Sequence, residues 1–148
     1  MKGRYRPSIK AFNIERAAHD WLITMSLEQM YTRFPGLRVV SVENGSDYLA
    51  LLLRKLSQQA SRAPGWFDDD PVELFRRHVW MNPFWEDDVY ELVELMGADH
   101  VVFGSDWPHI EGLPSPLDYL AEVEDLDYGD RRLVMRDNTR SLTELRPA

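Results

Sequence analysis

The sequence predicts an α/β fold with a parallel sheet and helical crossovers. Three observations predict it. Helix-spaced and strand-like apolar segments alternate along the chain, in the order helix, strand, helix, strand, helix, strand, helices. That is the pattern of parallel strands joined by helical crossovers. Two of the strand-like runs, 37–42 and 101–103, lead into an acidic residue beside a glycine turn. Finally, only three residues separate Gly97, at the end of a helical stripe, from Val101. Such short helix-to-strand loops are typical of α/β units.

Residues 1–10 form a basic lead-in holding Pro7. A helix is predicted from Asn13, a candidate N-cap, with Ile14, Ala17, Ala18, Trp21, Leu22 and Met25 at helical spacing. Phe34-Pro35-Gly36 stops it. His19 falls within this helix and reads as a packed or surface residue. The run 37–42 is rich in β-branched residues and suits a strand. Asn44 or Ser46 can cap the next helix, whose buried stripe is Leu49, Leu52, Leu53 and Leu56. The polar stretch 57–70, punctuated by Pro64-Gly65, is expected to be a loop. Asp68-Asp69-Asp70 lacks the spacing of an EF-hand and suits the N-terminus of a short helix beginning at Pro71.

Residues 78–81 are expected as a short strand, broken by Asn82-Pro83-Phe84. A helix over 86–96 follows, with Val89, Leu92, Val93 and Met96 as its stripe, Glu86-Asp87-Asp88 at its positive end and Gly97 as its stop. Val101, Val102 and Phe103 suit a strand buried on both faces, and Pro108 requires that strand to have ended. A Pro- and Gly-rich loop over 110–116 precedes a helix over 117–123 and short terminal helices over 130–135 and 138–145.

With 148 residues the chain can bury one core. Hydrophobic residues make up 44% and charged residues 28%, as in ordinary soluble domains. A net charge of -8 disfavours nucleic acid and anionic membrane as partners and leaves a small-molecule substrate, with a homo-oligomer left open. No apolar run reaches the roughly 18 residues of a membrane span, and no apolar signal core follows the basic N-terminus. A cytoplasmic protein is expected. There is no cysteine, so any metal would need His, Asp or Glu ligands.

Asp106 sits just past the carboxyl end of a buried strand, and Glu43 holds the same position after the earlier one. Active sites of parallel α/β proteins lie there. The two acids are therefore expected on one end of the sheet, facing a common cavity. His109, on the same loop as Asp106, is placed to hydrogen-bond a substrate. Each has a plain structural alternative: a turn-capping Asp, a Glu bonded to a neighbouring loop, a loop His. A Glu43–Asp106 pair working without metal, as in barrel glycosidases, is a further reading. Trp80, Phe84 and Trp107 read as packing groups.

The run Arg33-Phe34-Pro35-Gly36-Leu37-Arg38-Val39-Val40 followed by Glu43-Asn44-Gly45 resembles the sixth-strand region of the amidohydrolase-related family. Gly97-Ala98-Asp99-His100-Val101-Val102-Phe103-Gly104-Ser105-Asp106-Trp107-Pro108-His109 resembles its passage into the eighth strand, and Asp137-Asn138-Thr139-Arg140-Ser141-Leu142 its closing helix. The resemblance runs over about residues 19–145. It implies a (β/α)8 TIM barrel and a metal-dependent hydrolase. In that family the eighth-strand Asp, here Asp106, binds a divalent metal, zinc foremost, and helps activate the metal-bound water. On this reading Asp106, Glu43 and His109 are the catalytic residues and Asp106 the metal ligand.

The family also contains nonoxidative decarboxylases such as aminocarboxymuconate-semialdehyde decarboxylase, an alternative activity. That branch carries a His after the sixth strand where this chain has Glu43. Members use a His-x-His pair as well, whereas this chain has only His19, His78, His100 and His109. A full barrel takes about 250 residues. Residues 1–148 are therefore expected to be a partial domain of about three βα units: strands six to eight and the C-terminal helices. A non-catalytic fragment is the third reading. Such a piece is expected to leave two strand edges in water and to associate.

Overall fold

In a computed structural model, residue 9 and residues 14–83, 87–110 and 112–144 are described. Helix α1 (Ile14–Leu27) is followed by the short α2 (Met30–Arg33). The sequence predicted one helix here, but Gln29 takes a left-handed conformation (φ 54°) and breaks it. The N-cap expected at Asn13 lies outside the described residues. Strand β1 (Val39–Ser41) is the centre of the expected 37–42 run. Helix α3 (Leu49–Arg62) carries the predicted stripe, with Leu49, Leu52, Leu53 and Leu56 all buried. Burial of each stabilises the fold by roughly 1.5–3 kcal/mol. The helix continues through 57–62, where a loop was expected. Those residues are polar but helix-compatible, and the stop comes just before Pro64-Gly65.

Helix α4 (Pro71–His78) begins as predicted, with Asp70 accepting the Val72 N–H at 2.8 Å. His78 ends this helix rather than starting the strand β2 (Val79–Met81). Helix α5 (Val89–Met96) starts later than expected because Asp88 caps it, accepting the Tyr90 and Glu91 N–H groups at 2.9 and 3.2 Å. The expected start at Glu86 lies outside the described residues. Gly97, at φ 87°, ends α5, and a 3-10 turn (Ala98–His100) leads into the third sheet segment.

Strands β1 and β2 pair in parallel, Val39 opposite Val79 and Ser41 opposite Met81. The third segment joins by one parallel bridge, Met81 to Val101, and the Val102 N–H donates to Met81 O at 2.9 Å. It is less regular than the predicted strand for a visible reason. Its outer edge is occupied by the C-terminal helical stretch. Asn138 Nδ2 donates to Val101 O and to Ala98 O, both at 2.7 Å, and the Phe103 N–H donates to Val134 O at 3.0 Å. That stretch is continuous: α6 (Tyr128–Arg132), a π-helical turn (Leu133–Asp137) and α7 (Asn138–Thr143). Two separate helices were expected.

The core lies between the sheet and the helices. Phe75 is fully buried, meeting Tyr31 edge-on at 6.5 Å between ring centroids. Tyr31 stacks on His78 at 5.2 Å, and His78 Nδ1 lies 2.7 Å from Leu37 O. This cluster ties α2 and α4 to the approach of β1. No described helix is long and apolar enough to cross a membrane.

Asn138 is almost wholly buried, and its amide holds two carbonyls. Asn138→Ala is expected to lower unfolding stability by roughly 1–3 kcal/mol, because it leaves buried acceptors unmatched. Chemical denaturation followed by far-UV circular dichroism measures it. A midpoint equal to wild type would deny the amide that role.

Candidate functional site

The carboxyl ends of the three parallel segments meet. Glu43 follows β1, Asn82 follows β2, and Gly104-Ser105-Asp106 follows the bridged segment; all of them line one cavity of about 60 Å³. That is room for a few waters. Tyr119 and Glu122 close it from the segment after the loop. The expectation that Glu43 and Asp106 share one end of the sheet and one cavity is met in geometry.

Both acids sit in the left-handed region, Glu43 at φ 57° and Asp106 at φ 53°. That conformation is unfavourable for most residues bearing a Cβ, by roughly 1–2 kcal/mol, and less so for an aspartate, so the strain is greater at Glu43 than at Asp106. It persists only where the surroundings over-determine it, as they do at functional sites. Around Glu43, Asn44 Nδ2 donates to Val42 O at 2.7 Å, and the Ser46 N–H donates to Asp87 Oδ1 at 3.1 Å. Around Asp106, the His109 N–H donates to Asp106 O at 2.8 Å, and the Leu113 N–H donates to Ser105 O at 2.9 Å. The loop closes on itself, and Gly112 lies directly against the Asp106 backbone.

The Asp106 side chain is only 18% exposed, and its Oδ1 lies 3.1 Å from His109 Nδ1. His109 is 62% exposed and reaches the site through Asp106. The other histidines stand elsewhere. His19 lies beside Asp20 and edge-on to Tyr48, His78 is in the core, and His100 packs on Trp80 at 4.6 Å.

Sequence reasoning missed Asn82, Tyr119 and Glu122. Asn82 is buried; its N–H donates to Ser41 O at 2.9 Å and its Nδ2 to Val102 O at 3.1 Å. One residue thus joins all three segment ends. Gly104 has no room for a Cβ because the Asn82 amide lies against it. Asn82 was read only as part of a strand breaker, although the strand-end reasoning used for Glu43 and Asp106 would have found it. Tyr119 comes from a 3-10 segment (Pro116–Ala121) where a helix over 117–123 was expected. Burial pushes its phenol above the usual range, and the nearby Glu122, Asp87 and Tyr90 push the same way. No sequence signal placed it at the cavity.

The cavity therefore offers carboxylates and an amide, groups that accept protons, bind cations or orient polar substrates. Its donor set falls short of a metal centre. A catalytic zinc takes about three protein ligands. Among the described residues no group of three or more His, Asp or Glu side chains converges to hold an ion.

A family model described as amidohydrolase matches residues 16–142. The chain belongs to the amidohydrolase family. Glu43, Asn82, Asp106, His109 and Glu122 all fall within the amidohydrolase match. The crystal structure of an amidohydrolase from Mycobacterium avium subsp. paratuberculosis K-10 matches with a TM-score of 0.83 and 44% identity, over 86% of this chain and 33% of that one. This amidohydrolase chain thus spans about a third of the length of that relative. Comparison with curated proteins gives no match.

Proposed function

We propose that residues 1–148 contribute strands six to eight and the closing helices of an amidohydrolase-type (β/α)8 barrel, and that the completed barrel is a metal-dependent hydrolase acting on a small molecule. One observation carries this reading: two strand-end acids, both with left-handed backbone, line one cavity at the carboxyl end of parallel strands. Family membership supports the hydrolase class. A cytoplasmic setting is part of the same proposal.

In this reading Asp106 accepts a proton from the attacking water or substrate. His109 keeps the Asp106 carboxylate oriented, and Glu43 and Asn82 orient the substrate from the adjacent strand ends. Zinc, or another divalent ion, belongs to the whole enzyme. This chain would supply Asp106 as one ligand, and the remaining ligands would come from outside the described residues.

The short donor set also favours a second statement: the 148-residue chain alone is not catalytic. Expressed alone and assayed on chromogenic esters and amides with zinc or manganese, it is expected to show no metal-stimulated turnover. Fused behind the portion of the Mycobacterium avium amidohydrolase that it does not match, it is expected to gain turnover. Activity in the isolated chain would mean that it builds a complete site by itself. A well-folded fusion with no activity on any substrate of the relative would sink the hydrolase reading.

A further inference from the structure

A second hollow opens beside the cavity that holds Glu43 and Asp106. It measures about 280 Å³ and is lined by Asp87, Asp88, Val89, Tyr90, Tyr119 and Glu122. Tyr119 and Glu122 line both spaces, so the two adjoin across that pair. One wall is the start of α5, and the other is the 3-10 segment Pro116–Ala121 with the residue after it. The Asp125 N–H donates to the Tyr90 hydroxyl at 3.2 Å and ties the two walls together. Strand β2, which leads into α5, has both of its sheet neighbours within this chain, β1 on one side and the bridged segment on the other. Both walls of the hollow thus come from this chain.

The chemistry of the walls is one-sided. Three of the six residues are carboxylates, two are tyrosines and none is basic. Carboxylates alone say little on a chain of net charge -8. Tyr119 is the second, independent observation. It is 4% exposed and its ring packs on Phe103 at 5.1 Å, yet its hydroxyl bonds to no described residue. A buried polar group without a partner costs roughly 1–3 kcal/mol, and the hollow is where a partner can reach this one. Burial foremost, then Glu122, Asp87 and Tyr90, push the phenol above its ordinary range, so it stays protonated beside these acids. A neutral phenol oxygen accepts a hydrogen bond from an ammonium, and aromatic faces attract cations. The Glu122 carboxylate has no ion pair among the described residues. Asp88 takes the Tyr90 and Glu91 N–H groups and so offsets the positive end of α5 that borders the hollow. A metal ion fits this set poorly, because among the described residues no three acids converge on one point. Spread carboxylates with aromatic walls suit an organic cation instead.

We propose that this hollow binds a primary alkylammonium group, with Glu122 and Tyr119 taking its N–H donors, and that in the completed enzyme the group is an arm of the substrate. The hollow adjoins the cavity of Asp106, so a substrate reacting there reaches it with a short carbon chain. Binding needs no catalytic reading; the assignment of the ammonium to the substrate rests on the hydrolase proposal.

The test is an amide NMR titration of the 148-residue chain with n-butylammonium chloride, with n-butanol as the uncharged match. Butylammonium is expected to shift the amides of Tyr90, Tyr119 and Glu122 saturably, and butanol to leave them in place. Glu122→Gln and Tyr119→Phe are each expected to weaken binding by about threefold to tenfold, the worth of one hydrogen bond. Asp69→Asn removes the same charge before α4, at the amino end of β2, and is expected to bind like wild type. If Tyr119→Phe misfolds, Glu122→Gln decides, since it alters an exposed side chain. Shifts that never saturate, equal shifts with butanol, or equal weakening by Asp69→Asn overturn the site. Zinc or magnesium producing the same shifts at lower concentration makes it an inorganic ion site and overturns the ligand. In an active fusion with the unmatched portion of the Mycobacterium avium amidohydrolase, the nitrophenyl ester of aminohexanoic acid is expected to exceed that of heptanoic acid in kcat/KM, and Glu122→Gln to erase the difference. An active fusion without that preference takes the ammonium away from the substrate. An inactive, folded fusion fails the hydrolase proposal and the substrate assignment with it, while the titration still decides the binding site.

Discussion

Asp106→Asn, placed in the completed barrel, is expected to lower turnover by about a hundredfold to ten-thousandfold, the usual contribution of a positioned general base. Asparagine keeps the shape of aspartate and tolerates the left-handed backbone at φ 53°. The fold should therefore be unchanged, and the loss is chemical: a neutral amide accepts protons poorly and is a weaker ligand, so metal content should fall as well. Losing the contact to the exposed His109 changes stability by less than about 1 kcal/mol. Asp106→Gly separates conformation from chemistry. Glycine has no Cβ to disfavour the left-handed region, so this variant is expected to hold or raise the melting temperature while losing turnover to the same degree. Wild-type turnover in Asp106→Asn would remove Asp106 from its assigned role.

The parts of this fold that show in the sequence are those set by local periodicity. The stripe Leu49, Leu52, Leu53 and Leu56 names its own buried face, and Asp70 before Pro71 announces a helix start that the structure contains. The pairing of Glu43 with Asp106 at one cavity was legible for a different reason. Parallel strands bring their carboxyl ends together, so two strand-end acids must be neighbours. What escaped depends on contacts between segments far apart in the chain. Nothing local marks Glu43 for a left-handed backbone, and aspartate tolerates that conformation without requiring it, so at both positions the loop closures decide. The π-helical turn at Leu133–Asp137 and the Asn138 amide have meaning only against the third segment, whose edge they fill. Asn138 stood out in the sequence through the resemblance of its motif, but its work is architectural. It holds the segment that leads into Gly104-Ser105-Asp106. Trp21 misled for the opposite reason: its helical spacing is that of a buried residue, and the structure leaves it half exposed in a groove beside Val39 and Val40.

Gly112→Ala is expected to damage both stability and site. A Cβ at this position would lie 2.5 Å from Asp106 O, 2.6 Å from Asp106 C and 2.8 Å from Ser105 O. All three are backbone atoms, so no side chain can swing away, and the loop itself must open. Opening it strains the Leu113-to-Ser105 and His109-to-Asp106 hydrogen bonds that hold Asp106 in its left-handed conformation. Forcing extra volume into such a contact typically costs about 1–3 kcal/mol, and moving a catalytic group by about 1 Å can lower turnover a hundredfold. The control is Gly36→Ala, where no heavy atom lies within 4 Å of the added Cβ and the backbone is not left-handed. That variant should stay within about 0.5 kcal/mol of wild type. Thermal unfolding of the isolated chain reads the stability half, and turnover of the completed barrel reads the other. A Gly112→Ala chain that melts like Gly36→Ala would show that the loop does not hold Asp106 where the cavity needs it.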